Sequence, residues 1–202
     1  MNNPRHYAMI RNLIIDLCGP LLQIDVNRIN ERFHQQGISA ENPYMTLYRE
    51  GRVKAFDRGE ITPSQFWNNV RQVLHCQLTD DELQDIWNSL VVDFDPRIAN
   101  VLHRLGQNHK LFLLSNSDVV NATHFLNYIR KRCGDISFDD CFEELYFSYQ
   151  LGLRKPDPAI FQAILQRHHL IPQETLFIDD SPKNCSIAAT LGIQTHRWKV
   201  GN

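Results

Sequence analysis

Several features are scarce in this 202-residue chain. No apolar run approaches the roughly 20 residues that would span a bilayer. Neither sign of charge dominates: 21 Lys and Arg stand against 23 Asp and Glu, for a formal net charge of −2. That argues against a general nucleic-acid binder, whose footprint is basic. The five cysteines (Cys18, Cys76, Cys133, Cys141 and Cys185) include no Cys-x-x-Cys pair, and the nine histidines include no His-Glu-x-x-His. A disulfide framework and a thiolate zinc site are therefore not expected, and a reducing compartment suits the chain better. Met1 to Arg11 is polar and mixed, with no apolar signal-peptide core, so a cytoplasmic location is expected. There is no internal repeat, low-complexity tract or Pro/Gly-rich linker. What remains is of globular composition, 43% hydrophobic and 22% charged, which excludes disordered, collagen-like and coiled-coil classes. The length allows one ordinary domain, or one with a sizeable insertion.

Two textures alternate along the chain. Short apolar runs bounded by polar or turn residues occur at Leu13–Ile15, Leu111–Leu114, Leu145–Phe147, Leu176–Ile178 and near Ile193, and predict buried strands. Between the later runs lie amphipathic patterns. Ile98, Val101, Leu102 and Leu105 follow helical spacing after Asp95-Pro96. Ile160, Phe161, Ile164 and Leu165 do so after Asp157 as N-cap and Pro158 at the first helical position. Strands alternating with helices predict a parallel sheet covered by helices. His168 and His169 read as a solvated helix end.

Residues from about Asp25 to Leu90 hold no convincing strand. Val26, Ile29 and Phe33 mark one helix. Thr62-Pro63 opens another, with Phe66, Trp67, Val70 and Leu74 on its apolar face. Thr79-x-x-Glu82 is a capping box ahead of Leu83, Ile86, Trp87 and Leu90. The pattern is that of a helical insertion after the first strand, with Trp67 and Trp87 packing it. Arg49, Arg52, Lys54 and Arg58 form a basic stretch that reads first as a solvated face.

In open α/β sheets, ligands bind beyond the carboxyl ends of the strands. Four polar clusters fall there: Asp16-Leu17-Cys18-Gly19-Pro20, Ser115-Asn116-Ser117-Asp118, Gly152-Leu153-Arg154-Lys155-Pro156-Asp157 and Asp179-Asp180-Ser181-Pro182-Lys183-Asn184. Carboxylates suit Mg²⁺, a hard cation that takes oxygen ligands. A Lys and a Ser hydroxyl suit phosphoryl oxygens, and one carboxylate is left as a nucleophile.

These clusters, in this order and over nearly the whole chain, resemble the four motifs of the haloacid dehalogenase-like (HAD) hydrolases. The Asp179-Asp180 pair, Gly-Leu-Arg-Lys-Pro-Asp-Pro and Phe56-Asp57-Arg58-Gly59-Glu60-Ile61 look most like the sugar-phosphate phosphatases and the phosphatase domains fused to epoxide hydrolases. The resemblance implies an α/β, Rossmann-like parallel-sheet core (1–20 and 94–202) and a small helical C1-type cap (21–93) inserted after the first strand. It implies a Mg²⁺-dependent phosphatase acting on a small phosphorylated metabolite. Composition calls for no nucleic acid or membrane partner, and nothing in the sequence demands more than a monomer. Asp16 would be nucleophile and metal ligand, and the Cys18 carbonyl a second ligand. Asp180 would complete the metal site, with Asp179 holding a metal-bound water. Ser115 and Asn116 would bind the phosphoryl group, Lys155 would neutralise charge on it and on Asp16, and Asn184 would brace the last loop.

One position departs from the family pattern. Its phosphatases usually carry an Asp two residues after the nucleophile as general acid and base; here that residue is Cys18. A thiol of ordinary pKa about 8.5 is a poor substitute for a carboxyl of about 3.9. A slow or selective enzyme favouring good leaving groups is expected. Pro20, where the family prefers Thr or Val, is a milder departure. The competing readings are a phospho-ligand sensor without turnover and a metal-free 2-haloacid dehalogenase, the latter disfavoured by the Asp179-Asp180 pair.

Overall fold

The computed structural model describes residues 9–198; the polar start up to residue 8 and residues 199–202 lie outside that range. In chain order the elements are β1 (Asn12–Ile15), β2 (Gln23–Ile24), α1 (Asn27–Gln35), α2 (Pro43–Arg49), α3 (Arg52–Asp57), α4 (Pro63–Leu74) and α5 (Asp80–Trp87). After them come β3 (Val91–Asp93), α6 (Arg97–Gly106), β4 (Lys110–Ser115), α7 (Val119–Arg130), β5 (Glu144–Phe147) and α8 (Ser148–Leu151). The chain closes with α9 (Pro158–Arg167), β6 (Thr175–Asp179), α10 (Pro182–Thr190) and β7 (Gln194–Arg197). No helix among the described residues is long and apolar enough to cross a membrane.

Five strands form a parallel sheet in the order β5-β4-β1-β6-β7. The apolar runs specify it directly. In β1, Leu13 and Ile15 pack on one face and Ile14 on the other, and all three are buried, as the interior strand of a doubly covered sheet requires. Ile15 lies beside Leu113 of β4 and Ile178 of β6, so the three strands end level with one another. Because β1 sits between β4 and β6, the loops after these strands diverge around a single crevice.

The stretch between β2 and β3 is helical, as its periodicity predicts. Thr62 and Thr79 each close a capping box, with Gln65 and Glu82 respectively, so the first turns of α4 and α5 are satisfied locally. Phe66, Trp67, Val70 and Leu74 are all buried, and Trp67 and Trp87 pack among the aromatic side chains there.

Three features depart from the periodicity. β2 and β3 pair as a short antiparallel ribbon where the chain enters and leaves the helical stretch; strands of two and three residues are too short to register as a period. On α6 the buried face is Ala99 and Leu102, whereas Val101 is 44% exposed, so the face lies slightly round from the expected one. His168 is not a solvated end: Nε2 lies 2.6 Å from the Tyr146 hydroxyl and its ring packs on Phe112, while His169 is exposed.

Specific polar contacts fix the helical stretch to the sheet. Asp118, the N-cap of α7, accepts from the backbone N–H groups of Val120 (2.8 Å) and Asn121 (2.9 Å). Its other oxygen accepts from Trp87 Nε1 (2.9 Å) and Asn121 Nδ2 (3.1 Å). Ser148 Oγ donates to the Asp57 carbonyl (2.6 Å), and Arg154 pairs with the Asp57 carboxylate (3.0 Å). Gly59 lies so close to the Tyr149 carbonyl that any Cβ would collide with it.

Every partner of the Asp118 carboxylate is a donor, so an amide there would set its own NH₂ against N–H groups. Asp118→Asn is expected to lower stability by about 2 kcal/mol, since buried donors lose their acceptor; urea unfolding followed by Trp fluorescence measures it.

Candidate active site

The crevice beyond β1, β4 and β6 is built around one buried ammonium. Lys155, in the loop between α8 and α9, is only 1% exposed. Its Nζ reaches the Leu114 carbonyl (2.8 Å), Asp16 Oδ1 (2.8 Å) and Asp179 Oδ2 (2.9 Å). Three donors meet three acceptors, which is the full capacity of an ammonium. Asn116 sets the lysine's backbone reciprocally: its Oδ1 accepts from Lys155 N–H (2.8 Å), and its Nδ2 donates to the Lys155 carbonyl (2.8 Å).

The carboxylates are placed by the strand ends. Asp16 N–H donates to the Ile178 carbonyl (2.9 Å), extending the β1–β6 ladder, and Asp16 Oδ1 also accepts from Leu17 N–H (2.8 Å). Asp179 ends β6 and is wholly buried. It accepts from Lys155, from Ser181 N–H (2.7 Å) and from Asn184 Nδ2 (3.1 and 3.0 Å to its two oxygens). Asn184 thus braces the last loop through Asp179. Asp180 is exposed. Gly19, at φ +99°, leaves it room: a Cβ there would lie 2.8 Å from Asp180 Oδ2.

The charges explain the titration directions. Burial works against the Lys155 ammonium, but Asp16 and Asp179 outweigh it and raise its pKa. Burial would raise Asp179, yet Lys155, Ser181 N–H and Asn184 hold it below the usual carboxylate range. Asp16 is pushed up to about 7, by burial first and by the nearby Asp179, against the pull of Lys155. Burial and Asp179 also raise Asp180. The Cys18 thiol is driven up by burial and by Asp16, so it stays protonated.

An open cavity of about 450 Å³ lies over these groups, lined among others by Asp16, Cys18, Asn116, Lys155, Asp180 and Asn184. One carboxylate oxygen each from Asp16, Asp179 and Asp180 lies within 4.8 Å of the others. Three carboxylates around one ammonium leave uncompensated negative charge, which adds to burial in pushing Asp16 up. An all-oxygen set of this kind fits Mg²⁺. Asp16 and Asp180 face the cavity and would hold the ion; Asp179, taken up by Lys155, Ser181 and Asn184, would act from behind.

Of the residues singled out from sequence, Asp16, Cys18, Asn116, Lys155 and Asp180 line this cavity, and Asp179 backs it. Ser115 is buried at the end of β4 with its hydroxyl 2.7 Å from that of Ser117, and is not among the lining residues. All five cysteines are free thiols. In the basic stretch, expected to be a solvated face, Arg52 pairs with Glu50 (3.9 Å), Arg58 with Glu60 (2.5 Å), and Lys54 lies over the Tyr48 ring. Sequence reasoning missed the Asp57–Arg154 pair. Its only signal was an acid in a helix and an Arg beside Lys155, some hundred residues apart.

A sequence model of the haloacid dehalogenase-like hydrolase family matches residues 3–192. The D-ribitol-5-phosphate phosphatase of Bacteroides thetaiotaomicron is 28% identical over 194 residues, covering 96% of this chain and 94% of that protein. The HAD family enzyme bt-2542 of the same organism superposes with a TM-score of 0.90 at 32% identity, over 96% of both chains. Its complex with magnesium and inorganic phosphate gives a TM-score of 0.87. A predicted HAD-like hydrolase of Porphyromonas gingivalis gives 0.83 at 27% identity, over 96% of this chain and 94% of that one.

Mg²⁺ should raise the melting temperature. At a hundredfold excess over its Kd the gain is about 2.7 kcal/mol, on the order of 5–10 °C for a chain of this size. Asp180→Asn and Gly19→Ala should each lose most of that shift. Thermal melts with Mg²⁺ and with EDTA measure both effects.

Proposed function

The chain belongs to the haloacid dehalogenase-like hydrolases, and from that we propose that it is a Mg²⁺-dependent phosphomonoesterase working through an aspartyl-phosphate on a small phosphorylated polyol or sugar. The observation that carries this reading is the Lys155 ammonium bonded at once to Asp16 and Asp179 beneath a cavity that Asp16 and Asp180 line. In this reading 21–93 is the cap, and 1–20 with 94–202 the catalytic core. The phosphatase relative on D-ribitol-5-phosphate and the magnesium–phosphate complex of the similar enzyme support it. So does the crevice at the carboxyl ends of the strands.

Asp16 is the nucleophile. A carboxylate oxygen of Asp16 bonds to phosphorus as the ester P–O bond breaks, and the leaving oxygen takes a proton from solvent water. Water then attacks phosphorus and gives a proton back to solvent, the bond to Asp16 breaks, phosphate leaves and the carboxylate is restored. Lys155 favours the ionised form of Asp16 and holds it in place, and lowers the cost of bringing an anionic phosphoryl group to it. Asn116 keeps Lys155 in register and presents its own edge to the cavity. Ser115, bonded to Ser117, supports the phosphoryl site from behind β4. Asp16, the Cys18 carbonyl and Asp180 would hold Mg²⁺, which would neutralise charge on the phosphoryl oxygens.

Cys18 limits the first step. Its half-buried thiol lies beside Asp16 and is pushed above its ordinary range, so it neither protonates a leaving alkoxide well nor takes a proton from water. Such acid–base help is typically worth about 10²–10⁴-fold. Activated esters need less of it, and are the better substrates. The same residue favours the second reading, a phospho-ligand sensor that binds phosphate without turning esters over. The acidic pair Asp179-Asp180 disfavours a dehalogenase, and similarity to dehalogenase structures at 19–22% identity concerns the fold.

Phosphate release from acetyl phosphate, hexose 1-phosphates, hexose 6-phosphates and ribitol 5-phosphate with Mg²⁺ tests the proposal. EDTA should abolish release, and Asp16→Asn should lower it by about 10³-fold or more. No release with phosphate still bound would establish the sensor instead. Cys18→Asp should raise kcat on primary alkyl phosphates by about 10²-fold or more, and raise it far less on acetyl phosphate. Equal effects on both would remove Cys18 from the acid–base role.

A further inference from the structure

Ser148 joins the helical stretch to the loop after β4 through a single hydroxyl. It opens α8, just beyond β5, and is wholly buried. In the sheet Phe147 lies beside Ser115, so Ser148 stands next to the loop that carries Asn116 and Ser117. Its Oγ accepts from Ser117 N–H (3.0 Å) and donates to the Asp57 carbonyl (2.6 Å). Asp57 is the last residue of α3, and a helix leaves its last carbonyls without intrahelical donors. Ser148 supplies the donor here. One hydroxyl thus satisfies two backbone groups, one in the helical stretch and one beside Asn116. Ser117 carries the connection further, since its hydroxyl lies 2.7 Å from that of Ser115. All three serines are buried, so solvent does not compete for these bonds.

Asp57 also reaches the loop before α9. Its carboxylate pairs with Arg154 (3.0 Å), whose backbone leads directly into Lys155. Asn116 then ties the two loops together through both ends of the Lys155 peptide unit. Asp57 therefore anchors both loops, one by its main chain through Ser148 and the other by its side chain through Arg154. Asp57, Ser117 and Arg154 edge a second, smaller cavity, of about 120 Å³, between the helical stretch and the sheet. Groups beside a void lose packing partners on that side, so hydrogen bonds weigh more in fixing these loops.

We propose that Ser148 and Arg154 are positioning residues, through which Asp57 sets Ser115, Asn116 and Lys155 for the phosphoryl step, whatever ester is bound. The inference rests on the phosphomonoesterase reading and goes beyond it: the helical stretch then serves the chemical step itself, on small esters as on large ones. Neither Ser148 nor Arg154 lines the larger cavity. Bonds that only joined the two parts of the chain could end on the helices of the core, as the Trp87 bond does at the cap of α7. These end on the peptide units next to Asn116 and Lys155. A displacement of about 1 Å at such groups can cost about 10²-fold in rate. Ser148→Ala leaves a buried donor and a buried acceptor without partners, and the loop must shift to find others.

Steady-state kinetics on esters of different size, with Mg²⁺ and well below each variant's melting temperature, test this. Acetyl phosphate, glucose 1-phosphate and ribitol 5-phosphate are compared in the natural chain, Ser148→Ala, Ser148→Thr, Arg154→Met and Arg154→Lys. Ser148→Ala and Arg154→Met should each lower kcat by about tenfold or more, by a common factor on all three esters and with KM little changed. Ser148→Thr and Arg154→Lys, which keep the hydroxyl and the charge, should recover most of that loss. Where a Ser148 variant fails to fold, Arg154→Met against Arg154→Lys decides. A lowered melting temperature with kcat unchanged on all three esters makes the two residues structural only and overturns the proposal. A loss confined to the two larger esters places them at the leaving group and overturns it as well, and both outcomes leave the phosphatase standing. No hydrolysis of any ester by the natural chain, acetyl phosphate included, overturns the phosphatase reading and this inference with it.

Discussion

The rest of this structure depends on keeping one ammonium charged where water does not reach it. Lys155 is almost completely buried, a setting that disfavours its charge by several kcal/mol unless partners compensate. Two carboxylates and one strand carbonyl do so. The cost is shared outward: Asp179 needs Ser181 and Asn184 to stay ionised, and Lys155 needs Asn116 to hold its backbone. Three strand ends must therefore stop level with one another, because the ammonium touches β4 directly, Asp16 after β1 and Asp179 at the end of β6. The parallel register that aligns Ile15 with Leu113 and Ile178 is what makes this arrangement possible.

The legibility of this design in the sequence follows from the range of each interaction. Strands β1, β4, β5 and β6 were legible because both of their faces are buried and the apolar run is continuous. The capping boxes of α4 and α5 were legible because both partners lie within one turn. The clusters carrying Asp16, Asn116, Lys155 and Asp180 were legible because strand ends in such sheets converge. By contrast, α2, α3 and the β2–β3 ribbon are too short to show a period. The Asp57–Arg154 pair, the Trp87–Asp118 bond and the small cavity are meetings of residues far apart in the chain, and neither spacing nor composition encodes them. His168 misled for the same reason: its partner Tyr146 is in another element.

The helical stretch and the sheet are joined by more than polar contacts. Phe66, Trp87 and Leu83 belong to the same buried apolar cluster as Leu13, Ile15 and Leu113. The aromatic residues stack in series, Phe56 on Phe66 and Phe66 against Trp87, and Trp87 hands its N–H to the cap of α7. Residues that line the smaller cavity of about 120 Å³ between the helical stretch and the sheet, Trp87 among them, are thus held by packing.

That shared core also bears on traffic. Swinging the helical stretch away from the sheet as a rigid body would strip apolar side chains of their neighbours and break the bonds at Asp118 and Asp57 together. The mouth of the larger cavity carries Gln23, Ile24 and Val92 of the β2–β3 ribbon, the segment that also leads into and out of the helical stretch. The ribbon is therefore a doorpost as well as a tether.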